Sequence, residues 1–197
     1  MRRPVAILVF DDVEVLDFAG PFEVFAVADE LHGHGAFQVF TVAETPGTVR
    51  AVNGLKIVPH HTLESAPAPA VVVVPGGIGT RALLQRSALL EWIRQRAKRA
   101  EVTLSICTGA LVLARAGLLD GLRVTTHHEC VDLLRELAPA AVVDPSRRFH
   151  DNGAIVTAAG ISAGIDASLH LVARLLGAGA AEATMRHMEY GRFAQPS

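Results

Sequence analysis

Five short, uninterrupted apolar runs recur along the chain, at Val5–Phe10, Phe37–Val42, Ala70–Val74, Val102–Ile106 and Ala154–Thr157. They are rich in β-branched residues and do not alternate with polar ones. A strand with one wet face alternates, whereas a strand covered on both faces does not. The runs therefore predict a largely parallel sheet between layers of helix. Helical patterns fill the intervals. They occupy Phe22–Leu31 behind Pro21, which suits an early helical position, then Ala88–Arg99 with Ser87 as a cap, Gly109–Ala116, Cys130–Leu137, Ile165–Leu176 and Ala180–Tyr190. Strand and helix in alternation predict a doubly wound α/β domain, helices on both faces, with ligands at the carboxyl ends of the strands. Two short strands around Val49–Pro59 are expected outside that sheet. Ala66-Pro-Ala-Pro69 reads as a loop within one domain, and Phe193–Ser197 as a frayed tail.

Composition removes several function classes. Half of the 197 residues are apolar and 19% are charged, which excludes a disordered chain. The formal net charge is −2 and no Lys/Arg block stands out. Nucleic-acid backbones demand a concentrated basic surface, so no nucleic-acid partner is expected. The start is basic and then apolar, but the apolar run is only about six residues, too short for a signal core or a membrane span. It reads as a buried first strand in a cytoplasmic protein with no membrane partner. The two cysteines, Cys107 and Cys130, read as reduced thiols rather than a disulfide scaffold.

The chemistry concentrates at Thr103-Leu-Ser-Ile-Cys107-Thr-Gly-Ala-Leu-Val-Leu-Ala114, a strand, a sharp turn bearing a thiol, and a helix. Unpaired N–H groups and the dipole of a helix start favour an anion there, so Cys107 is expected to lose its proton near neutral pH and act as a nucleophile. Cys130, inside a helical pattern, reads as structural. A second strand end opens into Pro75-Gly76-Gly77-Ile78-Gly79, whose backbone N–H groups either stabilise an anionic intermediate or simply make a tight turn. After the first strand, Asp11, Asp12, Glu14 and Asp17 cluster at the same end of the sheet. Asp17 serves either as the proton donor and acceptor beside Cys107 or as a helix cap, and Glu23 is a second candidate for the acid. Thr125-Thr-His127-His-Glu-Cys130 collects metal-ligating residue types. Adjacent histidines do not share a helix face and no second ligand pair follows, so no metal is expected and His127 is left to line a pocket. Ser162, in Gly160-Ile-Ser-Ala-Gly164, either contacts a ligand or caps a helix. His32, His34, His60 and His61 read as exposed loop residues.

Taken together these segments resemble the ThiJ/PfpI superfamily, whose domains are like class I glutamine amidotransferases. The resemblance covers nearly the whole chain and rests on Ser105-Ile-Cys107-Thr-Gly-Ala and Pro75-Gly-Gly77. Leu16-Asp17-Phe-Ala-Gly-Pro21-Phe-Glu23, Thr125-Thr-His127 and Ala159-Gly-Ile-Ser-Ala-Gly-Ile-Asp166 resemble the branch of isonitrile hydratases and of the amino-terminal domains of AraC-type regulators. Thr108 stands where many superfamily members carry a histidine after the nucleophile, and His128 stands where the branch often carries Trp.

The resemblance implies a flavodoxin-like doubly wound fold and a cofactor-independent reaction on a small-molecule substrate. Cys107 would attack the isonitrile carbon, and Asp17 would protonate it and then activate water. Thr108 and the Gly76–Gly77–Ile78 turn would orient the intermediate, with His127 and Ser162 lining the substrate site. A formamide would leave. The other readings are a sensor domain for small molecules or redox state, and glyoxalase-like or hydrolase chemistry on another electrophile. AraC-type relatives carry a DNA-binding region that this chain is too short to include, which favours the enzyme. A homodimer is expected from the resemblance. Phe22, Phe25 and Val27 either offer apolar area to the partner or pack on the sheet.

Overall fold

The computed structural model describes residues 2–191, so the Phe193–Ser197 tail lies outside it. Its elements are β1 (Arg3–Leu8), α1 (Val15–Leu31), β2 (Phe37–Ala43), β3 (Val49–Arg50), β4 (Lys56–Ile57), β5 (His61–Thr62), β6 (Val71–Val74), α2 (Thr80–Leu83), α3 (Ser87–Ala97), β7 (Val102–Ile106), α4 (Gly109–Arg115), β8 (Arg123–Val124), α5 (Val131–Leu137), β9 (Val142–Val143), β10 (Phe149–Asp151), β11 (Ile155–Ala158), α6 (Ala163–Leu176) and α7 (Ala178–His187). All five apolar runs become strands of one seven-stranded sheet, in the order β10-β11-β7-β6-β1-β2-β5. Every pairing is parallel except β10 with β11. Each side chain of β6 and β7 is buried, so both sheet faces are covered. One group of helices, α1, α6 and α7, packs together, and a second group gathers around α4. The fold is the doubly wound, flavodoxin-like α/β arrangement. No helix among the described residues is long and apolar enough to cross a membrane.

The chain begins at β1, in the interior of the sheet, runs outward through β2 to β5, and returns to lay β6, β7 and β11 on the other side. The order reverses between β1 and β6, and in such sheets ligands collect outside the carboxyl ends near the reversal. The segments after β1, β6 and β7 all emerge there. The Val49–Pro59 region forms the antiparallel β3–β4 pair outside the main sheet, as its composition suggests.

Several expectations are corrected. Helix α1 begins at Val15, not near Pro21, and Pro21 is its seventh residue. Proline there removes the single hydrogen bond to the Asp17 carbonyl, and burial of Phe18, Pro21, Val24 and Phe25 holds the helix through it. Asp17 is therefore inside the first turn and is not the cap; Glu14 occupies that position, without a side-chain bond. Ser87 is the first residue of α3 and makes no capping bond. Phe25 packs inside the core, Val27 is buried, and the half-buried Phe22 stacks on His60. Cys130 is not within a helix but ends the 3-10 turn His128–Cys130 that precedes α5. His61 belongs to β5 and meets Phe40 edge-on, and Nδ1 of His60 bonds the Thr41 hydroxyl at 2.8 Å. His32 and His34 are exposed.

Candidate active site

Cys107 follows β7 directly and holds a left-handed backbone, φ 54°. Its N–H donates to the carbonyls of Ala158 (3.1 Å) and Ala159 (3.0 Å), and its own carbonyl accepts from the Thr126 hydroxyl (2.8 Å). These bonds from β11 and from the Thr125–Thr126 segment fix the elbow in a conformation that L-residues rarely adopt. Helix α4 can start at once because Gly109 crosses β6 closely. A Cβ there would lie 2.0 Å from the Val74 carbonyl oxygen. Gly76 permits the same approach on the other side, where a Cβ would lie 2.5 Å from the Thr108 nitrogen.

The turn after β6 does not offer its first two N–H groups to a ligand. The Gly76 N–H donates to Asp17 Oδ2 (2.9 Å) and the Gly77 N–H donates to Thr108 Oγ1 (2.9 Å). The expectation that both would act as oxyanion donors is thus corrected: they position the acid and the threonine. The Ile78 N–H has no partner among the described residues and belongs to a residue that lines the cavity over the thiol.

Asp17 is fully buried. Its Oδ1 has no hydrogen-bond partner among the described residues. The Cys107 thiol is close enough to lower the Asp17 pKa but does not fill that position. Burial is the largest influence and pushes Asp17 up to about 7, against the Gly76 N–H; the Glu14 charge adds to the rise. Burial likewise pushes the Cys107 thiol up to about 12, with the Asp17 charge second. The N–H groups of Thr108 and Ile161 pull it down by less. The expectation of a spontaneous thiolate is therefore corrected. Helix α4 has only seven residues, and desolvation of the sulfur outweighs what its start supplies. Near neutral pH the thiol keeps its proton, and the acid beside it ionises less readily than an exposed carboxyl.

Cys107, Thr108, Gly77, Ile78 and His127 line one open cavity of about 210 Å³. Asp17 and Gly76 do not line it. Glu23 is exposed and does not join the site. Asp11 accepts the Arg50 N–H at 2.8 Å instead. Ser162 sits at the N-cap position of α6 without capping it and accepts from Arg148 Nη2 at 3.2 Å. It lines an adjoining hollow of about 340 Å³ that shares His127 and Ile161 with the thiol cavity. A further hollow of about 200 Å³ between the ends of β1 and β2 holds no nucleophile.

Sequence reasoning brought Glu14 to this end of the sheet but missed Arg81, Glu129, Cys130 and Ile161 as cavity walls. Arg81 carried a signal, standing two residues beyond the Gly-rich turn. Cys130 carried none, since a 3-10 turn turns it inward. Both cysteines are free and buried. Among the described residues no three His, Cys, Asp or Glu side chains gather as a metal site.

A doubly wound α/β domain with a strained cysteine elbow above a buried carboxyl defines a class of thiol-bearing domains. Within that class the chain belongs to the DJ-1/PfpI family, whose profile matches residues 3–174. It is 37% identical over 190 residues to the isonitrile hydratase of Pseudomonas putida, covering 96% of this chain and 79% of that protein. It is 32% identical over 178 residues to the HTH-type transcriptional regulator GbdR of Pseudomonas aeruginosa, covering 88% of this chain but 47% of the regulator. It thus spans most of the hydratase and about half of the regulator. Among solved structures, a ThiJ/PfpI family protein from Pseudomonas syringae superposes with a TM-score of 0.88 at 32% identity, covering 98% of this chain and 77% of that one.

Proposed function

We propose that this chain is a cysteine-dependent enzyme of the isonitrile hydratase type, acting on a small-molecule isonitrile as a single domain. The observation that carries the reading is Asp17, a fully buried carboxyl with a pKa near 7 and one unpartnered oxygen beside the Cys107 thiol. Addition to an isonitrile requires both the sulfur and a proton to reach the same carbon. A neutral thiol beside a poised acid suits that demand better than a bare thiolate.

In the first step the Cys107 S–H proton passes to the Asp17 carboxylate as the C–S bond forms. Asp17 returns the proton to the same carbon, giving the thioimidate R–N=CH–S–Cys107. In the second step Asp17 takes a proton from water as its oxygen adds to that carbon, and the nitrogen is protonated. The tetrahedral adduct R–NH–CH(OH)–S–Cys107 collapses, the C–S bond breaks, and the hydroxyl proton returns to sulfur. The sum is R–N≡C plus H₂O to R–NH–CHO. Every step uses Cys107, Asp17 and water, and no cofactor. Thr108, fixed by the Gly77 N–H, orients the elbow, and the Ile78 N–H and His127 face the bound molecule.

The test is a spectrophotometric assay with an aromatic isonitrile. Formamide is expected from the wild type and none from Cys107→Ala. Asp17→Asn is expected to be about 10²–10⁴-fold slower, the range for a lost general acid–base group. Turnover that survives both substitutions overturns the assignment. Members of the family are commonly dimeric, and we place this chain as a cytoplasmic homodimer, which sedimentation equilibrium checks.

The 32% identity to a transcriptional regulator favours one second reading, a domain that binds a small molecule without converting it. Its mark is ligand-induced stabilisation with no product.

A further inference from the structure

Arg81 stands at the start of α2, directly after the Gly-rich turn, and its side chain is part of the cavity wall over Cys107. Its guanidinium touches only neutral, weak or distant acceptors: Cys130 Sγ at 3.2 Å from Nη2, and Thr80 Oγ1 at 3.3 Å and the Gly77 carbonyl at 3.5 Å from Nη1. Nε has no acceptor and no carboxylate lies within 4.0 Å of the head group among the described residues. Two carboxylates share this wall, and neither reaches Arg81. Glu129 lies 3.8 Å from His127 Nδ1, and Glu14, without a side-chain partner among the described residues, faces the like charge of Asp17. Two exposed apolar side chains, Ile78 and Ile161, complete the mouth. A guanidinium is a planar fork of five donors suited to a carboxylate, and this exposed one stands in the wall of the cavity that Cys107 lines, with no carboxylate against it.

We infer that Arg81 selects a small ligand bearing a carboxylate, which it holds while the ligand's reactive carbon meets Cys107. The reactive group rests on the proposed hydratase chemistry; recognition of the carboxylate does not. Glu14 and Glu129 in the same wall oppose negative charge, so the ligand's single carboxylate is confined to Arg81 and a second anionic group is excluded. Arg81 is the only Lys or Arg side chain in the wall, so the ester of the same compound loses its charge-assisted contact.

The experiment compares isocyanoacetate with ethyl isocyanoacetate in two measurements. Wild-type kcat/KM is read by formamide release, and Kd is read by calorimetry on Cys107→Ala, where turnover is removed. The acid is expected to be favoured over the ester by about tenfold in both, an allowance for charge-assisted hydrogen bonds at a partly solvated site. Arg81→Gln is expected to bring both ratios to about one, and Arg81→Lys to retain part of the preference. A wild-type ratio near one overturns the inference, as does a preference that survives Arg81→Gln. Should Arg81→Gln fail to fold, the wild-type ratio and Arg81→Lys decide. Two split outcomes separate the claims. A Kd preference that needs Arg81, with neither compound turned over, keeps the carboxylate site and removes the hydratase reading. Turnover of both compounds without discrimination does the reverse.

Discussion

Ionising Asp17 inside the fold must lower stability, and the size of that loss is accessible. Its pKa rises from 3.8 to about 7 on folding, with burial the chief cause, and the side chain has no exposure to water that would screen the effect. Below about pH 4 the folded and unfolded chains both hold the proton. Between 3.8 and 7 the unfolded chain has released it and the folded chain has not, so stability falls as pH rises, and above 7 this contribution is flat. At 1.36 kcal/mol per pKa unit the full span costs about 4 kcal/mol, of which about 3 kcal/mol falls between pH 5 and pH 8. Cys107, with its pKa near 12, does not titrate in that window. Asp17→Asn removes the charge, and its own packing and hydrogen-bond costs do not depend on pH. The stability of the variant relative to wild type is therefore expected to improve by about 3 kcal/mol from pH 5 to pH 8. Urea unfolding at four pH values, followed by fluorescence of the single tryptophan, Trp92, measures it. A gap that stays constant to within about 0.5 kcal/mol across that range would refute the account of Asp17 as a carboxyl raised by burial.

Two further outcomes follow from the hydrogen bonds around the site and the core. Thr108→Val leaves the Gly77 N–H without its acceptor at 2.9 Å; a loss of about 1–3 kcal/mol is expected in urea unfolding, with Thr108→Ser close to wild type. Asp29 accepts the N–H groups of Ala36 and Phe37 at 2.9 Å each and pairs with Arg2, and it titrates below the usual carboxylate value although burial opposes this. Its contribution is present above the unfolded carboxylate pKa and fades as pH falls. Asp29→Asn is expected to destabilise the protein at pH 7, with the gap to wild type narrowing as pH falls below the usual carboxylate value, as read from melting curves.

The sheet was legible because continuous apolar runs have few other uses, and the Cys107 elbow because a thiol between a strand and a glycine-bearing helix start is a rare grammar. The edge strands β5 and β10 were not, since two or three residues carry no period. Asp17 was legible as a candidate acid but not as a helical residue. Pro21 marked the helix start on local preference, and only burial of the surrounding α1 side chains carries the helix back to Val15. Nor does sequence reveal where an amide points. The Gly76 and Gly77 N–H groups read as free donors until their partners, Asp17 and Thr108, arrive from 59 and 31 positions away. The protonation of Cys107 was misjudged for a related reason: helix starts are visible in sequence, and dryness around a sulfur is not.

The left-handed backbone at Cys107 gives this protein a conflict of interest between endurance and chemistry. A non-glycine residue in that conformation is strained by about 1–2 kcal/mol, and it adjoins an acid whose burial is itself unfavourable at neutral pH. Substitutions that relax either residue without losing its hydrogen bonds are expected to raise the melting temperature at neutral pH while disarming the pocket. Selection for heat tolerance alone, unchecked by an activity screen, would therefore drift toward an inert and sturdier scaffold. The two positions most tempting to a stability designer are the two that should be locked first.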